Sequence, residues 1–184
     1  MRKINWLFAG GLLLALSAGS SQLLADDAPD AGPAASAPQR ERDLVDIVMD
    51  ARKQFQTSKT ANPAQDARMS MQMRVIAYMR QSQVADDWVG TVKTRGITPD
   101  GKAWITVEIA DGITVSTWTS QADDLDSGTL IRPSAPLFAT VQQAKIGSTV
   151  IFGGTILKSV LATDDEMVLR PQFIAHFNAL KITQ

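Results

Sequence analysis

A β-hairpin in the middle of the chain restricts the fold more than any other feature. Its two strands, residues 102–110 and 113–120, alternate in polarity and are joined through Ala110, Asp111 and Gly112. Loops of this length commonly place their last residue in the left-handed backbone region, where glycine lacks the steric penalty of a Cβ atom. The inward face then comprises Ile105, Val107, Ile109, Ile113, Val115 and Thr117. The pattern therefore predicts a half-buried antiparallel sheet.

The opposite face of this hairpin is the strongest candidate for a binding site. In the predicted register Thr106 lies opposite Ser116, and Trp104 lies opposite Trp118. Two neighbouring indoles can stack on a ligand while adjacent polar groups form hydrogen bonds with it. The predicted ligand- or partner-binding residues are Trp104, Trp118, Thr106, Ser116, Glu108 and Thr114. Alternatively, methionines of an N-terminal helix cover both indoles, which then belong to the core.

The N-terminus has the form of a secretory signal peptide. Two basic residues precede an apolar stretch at 6–16 that is too short to span a bilayer, and small residues follow it. We therefore predict a signal peptide over residues 1–25, cleaved after Ala25, with cleavage after Ser20 or an uncleaved anchor as the alternatives. The mature protein is expected to be periplasmic or secreted and to have no transmembrane span.

Composition narrows the classes of function. The chain has 18 basic and 19 acidic residues, and removal of the signal peptide takes away Arg2 and Lys3 and leaves it mildly acidic. A chain of this charge has no general attraction for nucleic acid, which is therefore disfavoured as a ligand. The absence of cysteine from the sequence excludes disulfides, thiolate catalysis and cysteine-ligated metals.

Two amphipathic helices are predicted before the β region, over residues 40–57 and 62–83. Leu44 and Val48 recur on one face of the first helix, and Pro63 suits the first turn of the second. The second helix carries four methionines, which are Met69, Met71, Met73 and Met79. They indicate either an adaptable binding surface or, in the simpler interpretation, a wide stripe that faces the core.

The rest of the chain indicates a mainly β domain. Besides the hairpin, strands are predicted to begin at Trp88 and to cover 149–158 and 172–182, with a short helix at 137–144. This order matches a five-stranded OB-like Greek-key barrel preceded by one or two amphipathic α-helices, with a β-sandwich or an SH3-like barrel as the alternative. The predicted organisation is a signal peptide at 1–25, a disordered tether at 26–39, a helical segment at 40–84 and an OB-like β-barrel domain at 85–184.

Several segments resemble a family of bacterial exported proteins whose barrel is similar to the tRNA-anticodon-binding-like branch of OB domains. The shared positions are Asp87, Trp88, Gly90 and Val92, then Thr117 and Trp118, then Ile146, Gly147, Val150, Phe152 and Gly154, and finally Pro171 and Phe173. The resemblance covers roughly residues 55–182 and departs at 161–171, where the loop is short and lacks cysteine. It implies the barrel fold and no particular chemistry.

The candidate catalytic and metal-binding residues do not form a recognisable site. His176 is the sole histidine, which is too few for a histidine-based metal site, and no nucleophile motif accompanies it. Asp123, Asp124 and Asp126 lack the spacing of a calcium loop and are predicted to form a solvated acidic loop. We therefore expect no catalytic residue, metal or cofactor.

The expected function is that of a non-catalytic periplasmic or exported interaction module that binds a protein partner or an envelope component. The alternative is an OB-fold domain that binds an oligosaccharide or nucleic acid through the face of strands two and three. In that case the two indoles supply the stacking surface.

Export of the chain is directly testable. Because the apolar stretch is too short to span a bilayer and is followed by small residues, the mature protein should begin at Asp26. Mass spectrometry of a periplasmic extract measures that terminus. Recovery of the intact chain from Met1 in the soluble cytosolic fraction would show that the prediction is wrong.

Overall fold

Four helices and five strands make up the part of the chain described by the computed structural model, residues 37–160 and 163–183. The helices are α1 (Gln39–Thr57), α2 (Pro63–Gln81), α3 (Leu137–Gln143) and α4 (Asp164–Leu169). The strands are β1 (Val84–Ile97), β2 (Ala103–Ala110), β3 (Ile113–Ser116), β4 (Thr149–Ser159) and β5 (Gln172–Ile182). The predicted signal peptide and residues 26–36 of the predicted tether lie outside the described residues. Within the described ranges, no helix has the length and apolar character needed to cross a membrane.

The five strands close into a barrel in the order β1-β2-β3-β5-β4. Neighbouring strands are antiparallel except for β3 and β5, which run parallel. The predicted five-stranded barrel, with a short helix between its third and fourth strands, is confirmed. The mainly β assignment is too narrow, however, because helices and strands contribute about equally to the described residues. The two long N-terminal helices account for that balance.

The central hairpin turns as its sequence predicts. Gly112 has a φ of 65°, in the left-handed region expected for the last loop residue. Val107 pairs with Val115, as predicted, whereas Ala110 rather than Ile109 pairs with Ile113. Ile109 is the extra residue of a β-bulge that accompanies the turn. The assignment of residues to the two faces therefore holds away from the turn.

Two local predictions are wrong. Strand β3 ends at Ser116 instead of reaching residue 120, and a helical turn, α4, occupies a segment predicted to be a polar loop. The helix begins with a capping box, in which Thr163 Oγ1 accepts the N–H of Glu166 and Glu166 Oε2 accepts the N–H of Thr163. The T-x-x-E sequence was the signal for this helix start.

The helices and the barrel share one hydrophobic core. Inside the barrel, the ring of Phe152 lies between Trp88 and Phe177, with centroid separations of 6.1 and 5.2 Å. Leu44 and Val48 of α1 are fully buried and belong to the same apolar cluster. Helix α1 therefore completes the core of the barrel, and the described residues form one compact unit.

Arginine side chains stabilise the helical hairpin that α1 and α2 form. Arg40 of α1 lies 4.3 Å from the ring centroid of Tyr78 and donates a hydrogen bond of 2.6 Å to the carbonyl of Ser82. Arg52 donates to the carbonyls of Leu169, at 2.7 Å, and Asp111, at 2.9 Å. One guanidinium thereby joins α1 to the end of α4 and to the turn between β2 and β3.

Glu41 connects α1 to the first strand from inside the core. It is only 1% exposed, and its Oε2 accepts the backbone N–H of Val89 at 2.7 Å. Burial disfavours the charged carboxylate and raises the pKa of Glu41 to about 7, although the Val89 hydrogen bond and Arg42 oppose that rise. The folded protein therefore holds a proton on Glu41 at pH values where the unfolded chain has released it.

This proton makes the stability depend on pH in a predictable direction. A raised carboxyl pKa stabilises the fold below the ordinary glutamate pKa of 4.5, and the contribution is lost as the pH rises through about 7. Relative to Glu41→Gln, the wild type should lose on the order of 3 kcal/mol of unfolding free energy across that range. Urea midpoints at several pH values measure it, with Asp46→Asn, on the exposed side of α1, as the control. A Gln variant with the pH dependence of the wild type would contradict the assignment.

Candidate functional site

The hairpin register brings four of the six predicted site residues together. Thr106 pairs with Ser116, and Glu108 pairs with Thr114, on the outward face of β2 and β3. Two of these side chains already form polar contacts with other residues of the barrel. Ser116 is fully buried, and its Oγ accepts a hydrogen bond of 2.7 Å from Gln172 Nε2.

Glu108 is the second engaged side chain. Its carboxylate accepts the N–H of Gly112 at 3.1 Å and pairs with Lys93 Nζ at 3.0 Å. The carboxylate thus stabilises the hairpin turn and the neighbouring strand. Thr106 and Thr114 remain half-buried without a side-chain hydrogen bond among the described residues. The hydrogen-bonding capacity left on this face for a ligand is therefore small.

The expected cross-strand pairing of Trp104 with Trp118 is wrong, because β3 ends before it reaches Trp118. The Thr117 N–H still donates to the carbonyl of Ile105 at 3.0 Å, but the N–H of Ile105 donates to Thr117 Oγ1 at 3.1 Å, so a side chain takes the place of the second backbone bond. The Trp104 ring instead covers Gly96 of β1, where an added Cβ would lie 2.6 Å from the indole. Trp104 is half-buried at the surface of the barrel.

Trp118 is held by the irregular segment that follows β3. Its backbone N–H donates to Thr129 Oγ1 at 2.9 Å, and its Nε1 donates to Ser127 Oγ at 3.2 Å. The Lys158 ammonium lies 5.2 Å from the indole centroid, in cation–π geometry. The two indoles are therefore fixed by different neighbours, and Trp118 is placed beside β4.

The acidic segment after Trp118 is a structural element. Asp124 is 7% exposed, and its Oδ1 accepts both the N–H and the hydroxyl of Thr129, at 2.5 and 2.7 Å. The prediction of a solvated loop is thus wrong for this residue, since its carboxylate organises the chain that anchors Trp118. His176 is exposed on β5. Within residues 37–160 and 163–183, no cluster of three metal-ligating side chains occurs.

Helix α2 carries two apolar stripes, which reconciles the alternatives for its methionines. One stripe faces the core and comprises Ala67, Met71, Val75 and Tyr78. The other comprises Met69, Met73 and Ile76, which are 51%, 72% and 52% exposed. The core-facing interpretation therefore describes one stripe, while the second remains an apolar surface.

A groove lies between α2 and the end of β4, and we call it the α2–β4 groove. Its volume is about 370 Å³. The apolar lining consists of Met71, Val75, Ile76, Met79, Leu157 and Phe173, and the polar lining of Gln72, Arg80, Gln83, Lys158 and Ser159. Lys158 belongs to the groove and also covers Trp118, so the groove and the indole are adjacent. Sequence reasoning missed this site, although the seven large apolar residues of α2 exceed what a single buried stripe requires.

Comparison with known proteins adds no family to this geometry. The chain matches no protein-family model, and no curated protein is detectably similar to it in sequence. The resemblance to exported OB-domain proteins therefore stays a prediction.

The half-buried indoles should give intermediate losses of stability. Complete removal of a buried tryptophan costs roughly 3–5 kcal/mol, so Trp104→Ala and Trp118→Ala should each cost about 1–3 kcal/mol. Trp118→Phe keeps a ring beneath Lys158 and loses only the Ser127 hydrogen bond, at about 1 kcal/mol. Urea midpoints measure all three values. Native midpoints for both alanine variants, or an unfolded protein for either, would contradict the observed packing.

Proposed function

We propose that the protein is a non-catalytic exported interaction module, built on an OB-type barrel, that binds a protein partner through the α2–β4 groove. The strand order β1-β2-β3-β5-β4, with its parallel β3–β5 pair and a helix before β4, supports the OB-type assignment. The signal-peptide pattern of residues 1–25 supports export.

The observation that carries the proposal is the exposed stripe of Met69, Met73 and Ile76, which continues into the groove through Ile76. Contiguous exposed apolar surface on a folded protein typically marks an interaction site. Methionine side chains adapt to different partner shapes because they are unbranched and polarizable. An apolar groove that accepts an amphipathic helix is one of the recurring arrangements for binding a protein segment.

A second candidate function is oligosaccharide or nucleic-acid binding on the face of β2 and β3. The half-buried ring of Trp104 over Gly96 favours it, because a partly exposed indole can stack on a sugar or a base. The same face offers little free hydrogen-bonding capacity, since Ser116 and Glu108 are engaged within the barrel. The groove is therefore the better-supported site.

Site-specific crosslinking in the cell envelope distinguishes the two surfaces. A photo-crosslinking amino acid at position 73 or 76 should yield a discrete protein adduct, because both positions are exposed on the stripe. The same amino acid at position 142, exposed on α3, is the control and should yield none. Adducts of equal strength at 142 would contradict the proposal, as would adducts at 106 without adducts at 73 and 76.

A further inference from the structure

We infer that the partner presents an acidic amphipathic helix to the α2–β4 groove, with apolar side chains on the groove floor and carboxylates beside Arg80 and Lys158. This inference rests on the proposed function and names the chemistry of its partner.

Among the described residues, two of the three arginines of α2 pair with carboxylates, and the third does not. Arg68 pairs with Asp164 at 2.5 Å, and Arg74 pairs with Asp50 at 3.0 Å. Within the described part of the chain, Arg80 and Lys158 form no salt bridge. The groove lining contains both of these cations and no carboxylate. An apolar channel with two uncompensated cations is complementary to an apolar segment that carries negative charge.

The shape of the surface favours a helical segment. Met69, Met73, Ile76 and Arg80 recur at spacings of four, three and four, so they lie along one face of α2. The eleven residue steps from Met69 to Arg80 extend about 17 Å along the helix, or three turns. An antiparallel or parallel partner helix of about the same length would contact the whole stripe and both cations.

A second copy of the same helix is a poorer occupant. The same face of a second copy would again present Arg80 and Lys158, and the groove lining has no carboxylate to pair with them. Pairing two copies through the same face would bring like charges together, since an isologous interface places each patch against its own copy. An acidic partner removes that repulsion.

Lys158 makes binding observable. Its ammonium lies over the Trp118 ring at 5.2 Å, so a partner carboxylate that attracts Lys158 changes the environment of the indole. Tryptophan fluorescence should therefore shift when the groove is filled, and the shift should be absent in Trp118→Phe. Trp88 is fully buried and serves as a constant background.

The test uses two synthetic helical peptides of 16 residues. Both carry leucine on one face, and the other face carries glutamate in the first peptide and lysine in the second. The glutamate peptide should bind about tenfold or more tightly than the lysine peptide, measured by calorimetry and by fluorescence. The double variant Arg80→Glu/Lys158→Glu should reverse this preference. The matched control Lys53→Glu/Lys181→Glu, at exposed positions outside the groove, should preserve it.

Three results would overturn the inference. The first is equal affinity for the two peptides, and the second is binding of neither peptide. The third is displacement of the glutamate peptide by oleate at a lower concentration than by unlabelled peptide, which would identify a lipid anion as the occupant. Crosslinked protein adducts at positions 73 and 76 would still stand in the first two cases. Failure of the charge preference is therefore distinguishable from failure of the proposed function.

Discussion

The barrel depends on a very short parallel ladder between β3 and β5. Only three residue pairs form it: Thr114–Gln172, Val115–Phe173 and Ser116–Ile174. The side-chain hydrogen bond from half-buried Gln172 to fully buried Ser116 adds to this ladder. Because an open sheet exposes its edge groups, these few contacts convert five strands into a closed structure. They also fix the point at which the chain leaves the sheet and carries Trp118 towards β4.

The helical hairpin determines which surfaces remain available. Arg40 holds α2 against α1, and Arg52 holds α1 against α4 and the β2–β3 turn. With α1 completing the core, α2 needs only one of its two apolar stripes for packing. The second stripe consequently remains exposed, and its Ile76 lines the groove together with Arg80 and Lys158.

Features encoded by neighbouring residues could be predicted from the sequence, and features that join distant segments could not. The left-handed Gly112, the helix start at Pro63 and the limits of β5 all follow from local patterns. The end of β3 was missed because the Thr117 hydroxyl, rather than a backbone carbonyl, accepts the N–H of Ile105. The groove was missed because its two walls are separated by about 80 residues of sequence. The pairing of Trp104 with Trp118 was predicted wrongly for the same reason, because the neighbours of Trp118 come from distant segments.

The exposed thioethers of Met69 and Met73 give the stripe a chemical sensitivity that its buried neighbour lacks. Oxidation of either sulfur to a sulfoxide adds a polar oxygen to an apolar surface, whereas Met71 is shielded within the core. The fold can accept that change, because neither side chain supports the packing. The proposed interaction surface cannot accept it equally well, since its apolar character resides in those same atoms. An oxidant would thus change the polarity of the proposed binding surface while leaving the architecture intact.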